Sequence, residues 1–140
     1  MINERSNGVI IFIKEKEINY LLLHYESGHW DFVKGNVEKD ETEKDTIIRE
    51  TKEETGIQDL KFIPGFKENM HFFYKRGDLV SKSVTYLLAE TKTKKVTISH
   101  EHIGYKWLNY DEALKQITFK SSKEILKKAN EMLNNSLLNY

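Results

Sequence analysis

The sequence predicts an α/β protein in which helices flank a mixed β-sheet on both sides, an α/β/α sandwich. Runs of β-branched and aromatic residues separated by short turns predict several strands. Segments with an N-cap residue and helical spacing of apolar side chains predict helices between and after the strands. A length of 140 residues suits one domain with a buried core. We therefore expect a single domain, residues 1–140, whose Asn-rich tail frays from about residue 134.

Composition excludes several classes of protein. The chain has 22 Lys and Arg against 22 Asp and Glu, a formal net charge of zero, and it has no cysteine. Nothing global favours nucleic acid or an anionic membrane, and disulfides, thiolate metal sites and cysteine nucleophiles are excluded. The longest apolar run is too short to span a bilayer, and the N-terminus lacks the apolar core of a signal peptide. We expect a cytoplasmic protein without a membrane segment, and no feature of the sequence fixes its oligomeric state.

The N-terminal part of the chain predicts two adjacent strands. Val9–Ile13 is a continuous run of apolar residues, too apolar for a half-exposed strand, so we expect it at the centre of the sheet. A charged turn separates it from the second strand, Ile18–Tyr25. Ser27 and Gly28 end that strand, and residues 29–34 lead to Gly35.

A helix is predicted over residues 43–55. Thr42 is a suitable N-cap with acidic Asp45 three residues later, and no Gly or Pro interrupts the run. Gly56 stands where a glycine commonly ends a helix.

The remaining strands and helices follow this segment. β-favouring runs with turn signals between them predict the strands. They are residues 61–63, 66–74, 80–89, 96–98 and 105–108. Asn109 then begins a short helix, and Ser121 with Glu124 forms a capping box that opens a longer one. Apolar residues recur at helical spacing in this last helix, so we expect it to pack on the core.

One face of the predicted helix 43–55 carries three glutamates, Glu50, Glu53 and Glu54. They are like-charged neighbours at i, i+3 and i, i+4, near a helix end whose dipole disfavours anions, and each effect costs up to about 1 kcal/mol. A bound cation would offset this cost, and carboxylate oxygens suit magnesium or manganese. A solvated acidic helix face is the alternative interpretation of these three residues alone.

The spacing around the glutamates favours the first interpretation. It resembles the Nudix box, Gly-x5-Glu-x7-Arg-Glu-U-x-Glu-Glu-x-Gly-U, in which U is a bulky aliphatic residue. Eight of the nine defined positions match, with Thr51 the exception. The matching residues are Gly35, Glu41, Arg49, Glu50, Glu53, Glu54, Gly56 and Ile57.

The resemblance implies a Nudix-type fold and hydrolysis of a nucleoside diphosphate linked to another group. It implies that the Gly35 carbonyl and Glu50, Glu53 and Glu54 bind the metal, for which we expect magnesium or manganese. One of these glutamates could instead take the proton from the attacking water, directly or through the metal.

Two further box residues are expected to support this site. Arg49 can orient Glu53 by a charge-assisted bond. Glu41 lies outside the helical cluster and is expected to support the loop or the metal from a second layer.

Segments outside the box resemble the asymmetrically cleaving diadenosine tetraphosphate hydrolases within this superfamily. They are Trp30 with Lys34 and Gly35, the variant Arg-Glu-Thr-x-Glu-Glu at 49–54, the strand 82–90, and Ser-His-Glu-His at 99–102 followed by Tyr-Lys-Trp-Leu at 105–108. The similarity extends over residues 6–133, and this subfamily accepts threonine at position 51. Val33 and Asp40 depart from it, since proline and glycine are usual there. Both departures alter loop stiffness, so they bear on affinity more than on chemistry.

The same match suggests residues that hold the polyphosphate. They are His29 and Lys34, with Lys82 reaching from the facing strand. Glu101 is a candidate for an additional metal ligand or for the group that activates water. Solvated surface positions are the alternative for the histidine and both lysines.

A dinucleoside substrate also needs platforms for its bases, and stacking on an aromatic side chain contributes about 1 to 3 kcal/mol per base. Phe72 or Tyr74, together with Phe119, are the candidates by position in the match. Core packing is the alternative for each of these aromatics.

A zinc site at residues 100–102 is a further interpretation. His100 and His102 would point to opposite sides of a predicted strand, so we do not favour it.

The resemblance therefore implies a metal-dependent enzyme that binds dinucleoside polyphosphates and cleaves diadenosine tetraphosphate to ATP and AMP. Two alternatives remain open at this point. One is a Nudix pyrophosphohydrolase acting on nucleoside triphosphates or RNA 5′ ends, and the other is a nucleotide-binding domain without turnover. The presence of Arg49 and all three helix glutamates favours an enzyme.

Overall fold

A single mixed sheet of eight strands forms the middle layer of the protein in the computed structural model, which describes residues 1–138. Its strands are β1 (Ile2–Lys14), β2 (Ile18–Tyr25), β3 (Trp30–Asp31), β4 (Val33–Asn36), β5 (Lys61–Phe62), β6 (Glu68–Arg76), β7 (Asp78–Glu90) and β8 (His102–Asn109). The helices are α1 (Glu43–Thr55), α2 (Tyr110–Gln116) and α3 (Lys120–Leu138).

Strand β1 lies at the centre of the sheet, as its apolar sequence predicts. One edge pairs in parallel with β7 from Ile2 to Phe12. The other edge is shared, because β4 pairs antiparallel with residues 6–9 and β2 pairs antiparallel with residues 12–14. β8 extends the sheet beyond β2, and β5 and β6 extend it beyond β7. The predicted mixed sheet is confirmed.

The two faces of the sheet are covered by different helices. On one face, side chains such as Ile10, Phe12 and Tyr86 pack with Leu126 and Ala129 of α3. On the other face, alternate residues of the same strands pack with Ile47 of α1. Side chains of β1 are therefore buried on both faces, which explains its unbroken apolar run.

Helix α1 has the predicted ends. The Thr42 hydroxyl accepts a hydrogen bond from the Asp45 backbone N–H at 3.1 Å, and the Asp45 carboxylate accepts one from the Thr42 N–H at 3.0 Å. Gly56 ends the helix with φ 79°, a left-handed conformation that glycine adopts at low cost.

Two details of the prediction are wrong or displaced. Residues 96–98 form no strand. Helix α3 begins at Lys120, and the carbonyl of Phe119 accepts from the Lys123 N–H, so Phe119 and not Ser121 occupies the N-cap position. The fraying predicted from about residue 134 stays a prediction. Helix α3 extends to Leu138, and residues 139 and 140 lie outside the described residues.

The two departures from the family pattern are both accommodated. Asp40 has φ 64°, the left-handed conformation that favours the usual glycine and that Asp tolerates better than most residues. Val33 is the first residue of β4, a position at which proline is tolerated in strands. Valine there pairs with Val9 and is buried.

Thr51, the mismatch in the box, has an unsatisfied side chain. It is fully buried in α1, and its hydroxyl has no hydrogen-bond partner among the described residues. Burial of a hydroxyl without a partner costs free energy that an apolar side chain of the same shape would not.

We therefore expect Thr51→Val to raise the free energy of unfolding by about 1 kcal/mol. Urea denaturation monitored by circular dichroism measures the change. Thr55→Val is the matched control. The Thr55 hydroxyl donates to the Thr51 carbonyl at 2.7 Å and accepts from the Ile57 N–H at 3.1 Å, so this variant should be destabilised. A lower midpoint for Thr51→Val would contradict the expectation.

Candidate active site

All the predicted metal and phosphate residues except His29 line one cavity of about 680 Å³. Helix α1, β4, β7 and the turn at residues 99–101 all contribute to its lining. Lys34 comes from β4 and Lys82 from β7. The predicted residues brought together here are Lys34, Gly35, Arg49, Glu50, Glu53, Glu54, Lys82 and Glu101.

Gly35 allows α1 to approach the sheet closely. A Cβ atom at this position would overlap the carboxyl group of Glu50. The backbone of β4 therefore lies directly against a carboxylate of the cluster, and any larger residue would displace that carboxyl group. This contact explains in physical terms why the box begins with glycine.

Arg49 binds Glu41 more tightly than Glu53. Its Nε lies 2.7 Å from Glu41 Oε2 and its Nη2 3.1 Å from Oε1, and its Nη1 lies 2.8 Å from Glu50 Oε1. The expected contact with Glu53 is longer, at 3.5 Å. Arg49 therefore holds Glu50 and the loop before α1 more closely than it holds Glu53.

Glu41 holds that loop in place. Besides Arg49 it accepts hydrogen bonds from the Glu38 N–H at 2.8 Å and from the Thr46 hydroxyl at 3.0 Å. The hydrogen bonds from Arg49, with further bonds from Glu38 and Thr46, lower the pKa of Glu41 to about 2. Glu41 is thus a permanent anion of the loop, in agreement with the supporting role expected for it.

Glu54 is a buried carboxyl group with an unpaired oxygen. The residue is only 4% exposed, and its Oε2 has no hydrogen-bond partner among residues 1–138. Burial raises the pKa of Glu54 to about 7; contact with His102 opposes this rise and the nearby charge of Glu50 adds to it.

The residues have the chemistry to bind a divalent cation, although their side chains do not converge on one point. No three histidine, aspartate or glutamate side chains converge on a common point within the described part of the chain. Glu50 is turned toward Arg49, and the Glu53 side chain is 59% exposed. The unpaired oxygen of Glu54, the close approach of Glu50 to the Gly35 backbone and an all-oxygen donor set nevertheless suit a hard cation.

The two lysines of the cavity suit an anion. Lys34 Nζ lies 3.3 Å from Oδ2 of the buried Asp31. Lys82 is half-buried, and burial, followed by the nearby charge of Lys34, lowers its pKa. A bound polyphosphate would relieve the repulsion between the two ammonium groups.

The predicted aromatic platforms lie in two separate places, and His29, predicted to bind the polyphosphate, lies beside Phe119 at one of them. His29 stacks on Tyr25 with ring centroids 4.5 Å apart and lies 5.2 Å from the ring of Phe119, which is 45% exposed. Phe72 and Tyr74 lie 6.2 Å apart on β6.

The second pair borders the lysine side of the cavity. Phe72 is directly opposite Lys82 in the strand register. The hydroxyl of Tyr74 donates to Glu4 at 3.0 Å. The stacked group at His29 and the pair on β6 thus offer two places for a flat ring.

The histidines around Glu101 are arranged differently from the expectation. His100 and Glu101 lie in a turn, and strand β8 begins at His102, so the two histidines do not alternate along one strand. The His102 side chain is fully buried, with Nδ1 3.0 Å from the Ser99 hydroxyl and Nε2 3.1 Å from Glu54 Oε1. The sequence indicated His102 only as a candidate zinc ligand beside Glu101. It did not reveal the contact with Glu54, because no spacing pattern connects these two residues.

Comparison with known proteins agrees with this geometry. The NUDIX domain family model matches residues 3–129, and the chain belongs to this family. It is 36% identical to the mouse and pig proteins called bis(5′-nucleosyl)-tetraphosphatase (asymmetrical), over 92% of this chain and 95% of each relative. A crystal structure of a Caenorhabditis elegans Ap4A hydrolase binary complex matches with a TM-score of 0.85 and 31% identity, covering 94% of this chain and 98% of that one.

The protein is accordingly a Nudix hydrolase, and hydrolases of this family generally use divalent metal ions. No helix within residues 1–138 is long and apolar enough to cross a membrane.

The buried Glu54 should make the metal-free protein less stable at alkaline pH. Its folded-state pKa of about 7 lies above the ordinary value of 4.5, so its full contribution to stability is present below pH 4.5 and is lost as the pH rises to about 7. Between pH 5 and pH 8 we expect the wild type in EDTA to lose about 1 to 3 kcal/mol more than Glu54→Gln does. Urea denaturation of both proteins at the two pH values measures this difference. If the free energy of unfolding changed equally with pH in the wild type and in Glu54→Gln, Glu54 would be excluded as the source of the pH dependence.

Proposed function

We propose that this protein hydrolyses dinucleoside tetraphosphates asymmetrically, with diadenosine tetraphosphate as substrate and ATP and AMP as products. The observation that carries the proposal is the shared cavity, which is lined by Glu50, Glu53, Glu54 and Glu101 together with Lys34 and Lys82. Similarity to the mouse and pig asymmetrical tetraphosphatases over nearly the whole chain supports the choice of substrate. We further propose that the enzyme works in the cytoplasm.

Magnesium or manganese is the proposed metal. The carbonyl of Gly35 and the carboxylates of Glu50, Glu53, Glu54 and Glu101 would hold it. When bound, such an ion neutralises charge on phosphate oxygens and lowers the pKa of coordinated water.

The residues of the chain would divide the remaining tasks. Lys34 and Lys82 bind the anionic phosphates. The Asp31 carboxylate holds the Lys34 ammonium in place, with Oδ2 3.3 Å from Nζ. Arg49 and Glu41 keep the loop before α1 in place, so that Glu50 stays against Gly35. Positioning of this kind accounts for much of the catalysis of phosphoryl transfer, because the transition state is loose and needs little covalent help.

The attacking water must lose a proton as its oxygen bonds to phosphorus and the bridging P–O bond breaks. A carboxylate of the cavity is the proposed acceptor, and Glu54 and Glu101 are the two candidates outside the Arg49 contacts. Glu101 is exposed and therefore accessible to solvent water, whereas Glu54 is buried and less accessible to it.

The bases would stack on the exposed aromatic groups. Phe119 with His29 forms one platform, and Phe72 with Tyr74 is positioned for the other. Phe119 is half-exposed at the N-cap of α3, so its ring is available without disturbing the core.

Product analysis tests the proposed cleavage. With magnesium and diadenosine tetraphosphate we expect ATP and AMP in equal amounts, separated by anion-exchange chromatography. A reaction in ¹⁸O-labelled water identifies the phosphorus that is attacked. Glu54→Gln is the control and should form neither product. Formation of two ADP molecules would contradict asymmetric cleavage. A clear preference for nucleoside triphosphates or RNA 5′ ends in a substrate panel would replace the proposed substrate.

Removal of the first platform should weaken substrate binding more than turnover. We expect Phe119→Ala to raise KM for diadenosine tetraphosphate about 5-fold or more, since one stacked base is worth about 1 to 3 kcal/mol, with kcat within about threefold. Steady-state kinetics provide both constants. Phe73→Ala is the matched control. Phe73 is 57% exposed but points to the other face of β6 from Phe72 and Tyr74, so its KM should be unchanged. Equal KM values for the wild type and Phe119→Ala would exclude this platform.

A further inference from the structure

The segment before β8 is attached to the C-terminal end of α1. The Thr97 N–H donates to the Thr55 carbonyl at 2.9 Å, and the Ser99 N–H donates to the Glu54 carbonyl at 3.3 Å. Carbonyls in the last turn of a helix have no partner within the helix, so these bonds satisfy groups that would otherwise be exposed or orphaned. The His102 N–H then donates to the Ser99 carbonyl at 3.1 Å and closes the turn. Backbone bonds thus fix His102 relative to Glu54.

Ser99 contacts the Nδ1 side of the His102 ring. The Ser99 hydroxyl oxygen accepts from the Glu101 backbone N–H at 3.4 Å and lies 3.0 Å from His102 Nδ1. The serine hydroxyl can donate its proton to Nδ1. This tautomer puts the ring hydrogen on Nε2, which lies beside the carboxyl group of Glu54.

The Nε2 atom faces Glu54. It lies 3.1 Å from Glu54 Oε1, but the approach is oblique and does not give an aligned hydrogen bond. Nε2 and Glu54 Oε2 both lack a hydrogen-bond partner among residues 1–138. Buried polar atoms without partners are costly, so a small rotation of the carboxyl group that aligns N–H with Oε1 is favoured. The ring of Tyr25, edge-on to His102 at 4.5 Å, restrains the imidazole itself.

We propose that His102 is a positioning residue that holds Glu54 through Oε1 and directs the unpaired Oε2 toward a divalent cation in the cavity. The inference rests on the proposed function, which assigns Glu54 as a metal ligand. A donor on one oxygen fixes the orientation of a carboxylate and leaves the other oxygen free to bind a cation. His102 is not itself a ligand in this arrangement, since Nδ1 is engaged by Ser99 and Nε2 faces Glu54.

Two substitutions of His102 separate positioning from packing. In His102→Gln the side-chain amide nitrogen can take the place of Nε2, whereas in His102→Asn it reaches only the place of Nδ1. We expect His102→Asn to weaken Mn²⁺ binding 10- to 100-fold, and His102→Gln to restore most of that loss. Isothermal titration of the full-length protein with Mn²⁺ alone measures the affinity without substrate or turnover.

Ser99→Ala provides a test that leaves the imidazole in place. It removes the bond to Nδ1 at a partly exposed position, so the protein should fold normally and bind Mn²⁺ about 3- to 10-fold more weakly. Urea denaturation of each metal-free variant shows whether a loss of affinity merely follows a loss of stability. Wild-type affinity in both His102→Asn and Ser99→Ala would overturn the proposal. Equal weakening in His102→Asn and His102→Gln would also overturn it.

Glu54→Gln distinguishes failure of this inference from failure of the proposed metal site. Reduced Mn²⁺ affinity in Glu54→Gln with unchanged affinity in the His102 variants overturns the inference alone. Unchanged affinity in Glu54→Gln overturns both, because Glu54 would then not hold the metal. Reduced affinity in Glu54→Gln and His102→Asn, with recovery in His102→Gln, is the result expected.

Discussion

The close approach of α1 to β4 is the constraint on which the site depends. At Gly35 the carboxyl group of Glu50 occupies the space that any side chain would need. Arg49 keeps this arrangement by binding Glu50 and Glu41 at once, and so ties the helix to the loop that precedes it. The Glu50 carboxyl group can lie against the backbone of β4 only because no side chain separates them. The metal chemistry proposed for the protein requires that proximity.

Features encoded within a few residues were predictable from the sequence. The ends of α1 follow from Thr42, Asp45 and Gly56, whose capping interactions are local. The central position of β1 follows from its unbroken apolar run. The departure at Asp40 was also visible, and its left-handed backbone explains why glycine is usual there. The spacing of the box then placed Glu50, Glu53 and Glu54 on one helix face beside Gly35.

Features that arise from contacts distant in sequence were not predictable in this way. Residues 96–98 have strand-forming side chains, but their backbone lies against the end of α1, and the Thr97 N–H bonds there instead of in a sheet. Tertiary context outweighs β-propensity in such a segment. The pairing of His102 with Glu54 spans almost fifty positions along the chain and has no spacing rule. Helical spacing suggested Arg49 and Glu53 as neighbours, but it says nothing about Glu41, which lies in the loop before the helix and receives the shorter bonds from Arg49.

The parallel pairing of β1 with β7 has a consequence for how the chain folds. Ile2 lies opposite Val80 and Phe12 opposite Glu90, so every contact of this ladder closes a long loop. Pairing of β1 with β2 and β4 needs much less of the chain. During synthesis, β2 and β4 can therefore pair with one edge of β1 early. The other edge stays unpaired until about eighty residues have been made, because Ile2 pairs with Val80. Long-range parallel pairing of this kind slows folding, so the step that completes the centre of the sheet is expected to limit the rate at which the catalytic cavity is assembled.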